Sequence, residues 1–162
     1  MRPWKRYAGF SLWLALATLS SAGHATCWES GEGATAVYRD PTVATEFKDA
    51  PYVLTGRVLS ARHIATPDDP EGVEWTVYTI RVLETFKGKA QPTIRLVSEN
   101  TSARFDMDIG ASYLLFVRHV DTREMAGKER LPADFVDNCG NSALVKDAGQ
   151  AIRTVRRLST GP

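Results

Sequence analysis

The sequence predicts a mainly β domain: five strands coiled into a small, partly open barrel, with a short helix before them and an amphipathic helix after. Three observations carry this expectation. Runs of five to ten residues rich in Val, Ile, Leu and aromatics alternate with turn residues, as at Lys87-Gly88-Lys89. Gly56 stands inside the first long run, and an interior glycine marks the bulges and bends that small barrels need. Apolar residues at helical spacing occur only at the two flanks.

Taken in order, Asp40-Pro41 reads as a helix start, with Asp40 as N-cap and Pro41 at the first helical position. The segment to Asp49 then places Val43, Ala44 and Phe47 on one face. Residues 52–61 form the first barrel strand. Residues 73–86 form the second, with Trp75 and Val77 in one phase and Tyr78, Ile80, Val82 and Phe86 in the other. The phase change between Val77 and Tyr78 predicts a bulge there. A third strand is expected over 93–99, with Ile94 and Leu96 facing in. The unbroken apolar run of a fourth, 112–118, predicts burial on both faces. A short fifth is expected near Phe135-Val136.

The tail from Asp147 to Leu158 reads as an amphipathic helix capped by Asp147. Ile152, Val155 and Leu158 form its apolar stripe, and Arg153, Arg156 and Arg157 lie outside it. Residues 66–72 and 121–134 read as surface loops. An immunoglobulin-like sandwich is the rival architecture, but it needs about seven short strands, more than the sequence offers.

The first 25 residues have the layout of an export signal. Arg2, Lys5 and Arg6 precede an apolar run over 10–19, and a small-residue exit follows. The run is too short to cross a membrane, which takes roughly 20 residues. Cleavage fits after Ala25, through Gly23 and Ala25, or after Ala22, through Ser20. Lipidation of Cys27 is disfavoured, because His24-Ala25-Thr26 lacks the expected bulky aliphatic residue. The expected organisation is therefore a signal peptide, 1–25, and a single domain, 26–162. The product is exported, periplasmic or extracellular, with no stable membrane insertion after cleavage.

Removal of the signal takes three basic residues and no acidic ones from a chain with 20 Lys+Arg and 19 Asp+Glu. A mature chain with two excess negative charges has no basic field for phosphate backbones, which argues against nucleic acid as a partner. Cys27 and Cys139 are the only cysteines. In an oxidising compartment they are expected to form one disulfide tying the start of the mature domain to its end. Closing a loop of about 110 residues is worth on the order of 4–5 kcal/mol in the chain-entropy account.

Four phrases in this order carry a family resemblance: Tyr52-Val53-Leu54-Thr55-Gly56-Arg57-Val58, Tyr78 through Gly88, Gly110 through Phe116, and Asn138-Cys139-Gly140. Behind a signal and an early cysteine they resemble the netrin-like OB-fold domain of tissue inhibitors of metalloproteinases, in its shorter bacterial form. The resemblance spans residues 27–158. It implies a five-stranded OB-fold barrel with its N-terminal segment pinned by a disulfide, and a protein partner, a zinc metalloprotease. In the animal inhibitors the free amine and carbonyl of an N-terminal cysteine occupy the open position of the protease zinc. Two features of the family pattern are missing. Cys27-Trp28-Glu29 stands where Cys-x-Cys is usual, and Arg104-Phe105-Asp106-Met107 lacks a middle cysteine. Cleavage after Ala25 also leaves Thr26 ahead of Cys27. The expected contact segment is Thr26, Cys27, Trp28 and Glu29.

No catalytic constellation stands out, so the expected product is a non-enzymatic protein-contact domain, with an envelope adaptor lacking inhibitory activity as the alternative. A small hydrolase would have to use His63 or His119, since these are the histidines left after cleavage, and no nucleophile-elbow motif accompanies them. Both end strands and read as surface residues. Asp68, Asp69 and Glu71 read as a solvated loop rather than a cation site, and Asp106-x-Asp108 offers too few ligands. No metal or other cofactor is expected. Trp75 and Tyr78 are candidates for stacking bases, but in an acidic domain packing is the better reading. Trp28, beside the expected disulfide, fills the barrel end or forms a recognition tip.

Overall fold

Period-two apolar patterning in the middle of the chain closes on itself. The computed structural model describes residues 28–30, 36–38, 41–66, 69–101, 104–119 and 131–161. Their elements are β1 (Trp28–Ser30), β2 (Ala36–Tyr38), α1 (Val43–Asp49), β3 (Tyr52–Thr66), β4 (Asp69–Lys87), β5 (Thr93–Glu99), β6 (Ser112–His119), β7 (Asp134–Val136), β8 (Ala143–Leu144) and α2 (Gly149–Ser159). The order β3-β4-β5-β7-β6 returns to β3, because Tyr52 to Arg57 pair with Val117 to Ser112. The result is the expected OB-fold-like barrel of five strands, closed by the β3–β6 pairing rather than partly open. All its seams are antiparallel except β5–β7, which is parallel and holds through one pair, Val97 with Phe135. Beyond the expected five, β8 pairs with the first half of β6, and β1 pairs with β2.

The strands carry two cores, one on each side of the barrel wall. Leu54, Val58, Tyr78, Ile80, Leu96, Tyr113, Leu115 and Val117 fill the interior. The alternate residues of the same strands, Val53, Leu114 and Phe116, face outward and are covered by both helices through Val43, Phe47, Ile152 and Val155. Residues 113–117 of β6 are all buried, which is the two-sided burial its apolar run predicts. Burying each large aliphatic side chain here is worth about 1.5–3 kcal/mol, so β6 is the element both cores depend on.

Several local expectations are corrected. No bulge separates Val77 from Tyr78. Pairing runs evenly from Arg62↔Val77 to Ala61↔Tyr78, and the two neighbours, on opposite faces of the strand, are both buried. The irregularities lie elsewhere, one of them at Thr55/Gly56 as the interior glycine predicts. There Val82 pairs with Gly56 and Glu84 with Thr55, so Leu83 is extruded and exposed. That extra residue reverses the inside–outside phase of β4. Phe86, expected on the face of Tyr78, therefore packs in the outer core.

The expected loop over 66–72 is mostly strand, with Thr66 paired to Asp69 and residues 67–68 outside the described set. Past the barrel, β3 and β4 pair only with each other among the described residues, since β6 stops at Arg57 and β5 at Trp75. No other described strand pairs with the outer edges of this ribbon, where Pro70 costs no ladder bond. The cap of α1 is Thr42, whose hydroxyl accepts the Thr45 amide at 3.2 Å, rather than Asp40, which is outside the described residues. Its inner face is Val43, Glu46, Phe47 and Ala50, with Ala44 exposed. α2 starts at Gly149 without a side-chain cap, because a turn in which Leu144 accepts the Asp147 and Ala148 amides leads into it. Leu158 is 39% exposed, so the buried stripe ends at Val155.

Candidate functional site

The loop around Cys139 is fixed by polar contacts from three directions. Asp137 accepts the Cys139 amide at 2.9 Å and pairs with Arg118 of β6 at 3.2 Å. Ser142 accepts the Phe116 amide at 2.9 Å, inside the outer core. From α1, the buried Glu46 accepts the Asn141 backbone amide at 2.6 Å and its side-chain amide at 2.8 Å. Asn141 also donates to the Pro41 carbonyl at 2.8 Å. Gly140 packs so closely on the Glu46 carboxylate that a Cβ would collide with it. Burial pushes the Glu46 pKa up, against the two Asn141 bonds that favour its charged form. Together these contacts hold one end of the barrel as a rigid platform at Cys139.

Of the expected contact segment, Thr26 and Cys27 lie outside the described residues, and with them the Cys27–Cys139 pairing. Trp28 and Glu29 fall in β1, opposite Tyr38 and Val37. The signal segment, 1–25, is likewise outside the described residues.

The two histidines are exposed, as expected. His63 contacts the Thr76 hydroxyl at 3.1 Å with no acid behind it among the described residues. His119 contacts Asp134 at 3.0 Å with no hydroxyl or thiol on it among the described residues. Asp134 also accepts the Tyr52 hydroxyl at 2.9 Å, and desolvation together with that carboxylate pushes the Tyr52 pKa up to about 12. Asp134 thus ties β3, β6 and β7 together at the seam.

Asp106 is tied to Arg104 at 2.8 Å, and the Asp108 amide donates to the Tyr113 hydroxyl at 2.9 Å. Asp68 is outside the described residues, while Asp69 and Glu71 lie on β4. Among the described residues no group of three or more His, Cys, Asp or Glu side chains could hold a metal ion, and no helix is long and apolar enough to cross a membrane.

The stacking candidates separate. Tyr78 is buried in the barrel, its hydroxyl accepting the Met107 amide at 3.3 Å. Trp75 instead lines a cleft of about 320 Å³. The single-pair seam explains the cleft. Beyond Val97↔Phe135, Ser98 and Glu99 stand on one side and Val136 and Asp137 on the other, with Arg104 and Phe105 beside them. Sequence reasoning singled out Trp75 but missed Glu99, Arg104 and Phe135. Their nearness depends on a parallel pairing between residues far apart in the chain, which no local pattern announces.

No protein-family model matches this chain, and no curated protein matches its sequence.

Proposed function

We propose that this chain is an exported, non-enzymatic protein that acts through protein contacts, in the manner of a metalloprotease inhibitor. Its contact edge is Thr26, Cys27, Trp28 and Glu29, stapled by a Cys27–Cys139 disulfide to the barrel. The observation that carries this reading is the platform at Cys139, held from α1 by Glu46, from β6 by Arg118 and from within the outer core by Ser142. A contact segment anchored on such a platform loses little freedom on binding, so less of its interaction energy is spent on ordering.

The test is inhibition of a panel of zinc metalloproteases by the mature, oxidised protein, combined with its intact mass. Slowed proteolysis at near-stoichiometric ratios, lost on reduction, is expected. No inhibition of any zinc protease, together with no crosslinked partner in envelope extracts, would contradict the reading. Crosslinking without inhibition would leave the adaptor alternative.

A further inference from the structure

The cleft at the β5–β7 seam has a chemistry of its own. Trp75 and Glu99 are directly opposed across β4 and β5, so their side chains stand next to each other on one face. Phe105 and Phe135 complete the aromatic lining. Two of the three charged groups that line the cleft are already engaged: Arg104 with Asp106 and Asn100, and Asp137 with Arg118 and the Cys139 amide. Glu99 is different, since it is exposed and its carboxylate bonds to none of the described residues. The unbalanced charge of the cleft is thus one carboxylate beside an indole. A planar cation with an apolar stem complements both, stacking on the ring and donating two parallel bonds to the carboxylate.

We infer that this cleft receives an arginine side chain presented by a protein partner, its guanidinium held between Glu99 and Trp75. This inference rests on the protein-contact reading above and names a second anchor point for the same partner. Asp137 lines the cleft and also holds the Cys139 amide, so the pocket and the platform at Cys139 share a residue. Lysine is the poorer fit, because its ammonium neither stacks nor donates as a fork. Phosphate and other anions are disfavoured by the Glu99 carboxylate, which no described residue neutralises.

The probe is Nα-acetyl-arginine methylamide, titrated into the mature oxidised protein while the Trp75 indole N–H is followed by NMR, with Trp75→Phe to assign it. A saturable shift is expected, at least fivefold weaker with the neutral citrulline analogue and at least fivefold weaker in Glu99→Gln. Glu99 is exposed and bonds to none of the described residues, so that variant keeps the fold. Glu84→Gln, which removes an exposed pairing with Arg156 on the helix side, leaves the titration unchanged. Equal affinity for the citrulline analogue would overturn the inference, as would a neutral methyl glucoside moving the same resonance, or no saturation at all. Protease inhibition without any arginine-dependent shift at Trp75 would remove this pocket and leave the protein-contact reading intact. An arginine-dependent shift in a protein that neither inhibits nor crosslinks would count against that reading instead.

Discussion

At Gly56 the barrel wall has no room for a side chain, because a Cβ there would collide with Ile80 Cγ2 and press on the Arg81 carbonyl. Gly56→Ala should cost about 1–3 kcal/mol as overpacking, read as a lower urea midpoint with an unchanged slope. An unchanged midpoint would mean that the wall is looser than its contacts imply. The need for glycine was legible in the sequence, since the surrounding run is otherwise apolar and β-forming. Lys87 was legible only as part of a turn. Its ammonium donates to the Phe47 and Lys48 carbonyls at the end of α1, at 2.7 and 2.6 Å, and lies 5.6 Å from the Phe47 ring centre. Lys87→Met should therefore destabilise by about 1–2 kcal/mol, measured by thermal unfolding, through unsatisfied helix-end carbonyls. That role depends on a contact forty residues away in the chain, which no local motif encodes.

At the scale of elements, α1 is held down by a carboxylate. Glu46 was not expected in the buried face, because glutamate reads as surface by default. Its partner Asn141 is 95 residues away, beyond the reach of any helical period. The pKa of Glu46 is raised in the folded state, so the native protein binds this proton more tightly than the unfolded chain does. The linkage sign follows: the contribution of this group to stability is fully present below the ordinary carboxylate pKa and is lost as pH rises through the raised folded value. Glu46→Gln should flatten the stability profile above about pH 4, the ordinary carboxylate range. A variant with the wild-type slope would show that Glu46 is not the group that titrates. Within β6 the element was legible throughout, since a strand with no polar phase has to be covered on both faces. α2 was legible in its stripe but not in its start, because a turn rather than Asp147 leads into it.

At the scale of the whole molecule, the barrel was predictable because its strands carry their own patterning. The closure was harder to see, for the parallel seam contributes a single pair and β7 is three residues long. The β1–β2 pair and β8 are shorter than any window in which periodicity can be counted. Two cysteines behind an export signal predict a staple that would join the contact segment to the platform around Cys139. If that bond closes the domain, Cys139→Ser should cost about 2–5 kcal/mol and unfold a large share of the exported protein at physiological temperature. The most direct test is intact mass and N-terminal sequencing of the exported protein after alkylation without reductant. A chain that starts between Gly23 and Cys27, two hydrogens lighter than its thiol form and free of alkyl groups, is the predicted result. A product that keeps its first 25 residues, or that takes up two alkyl groups, would contradict the account.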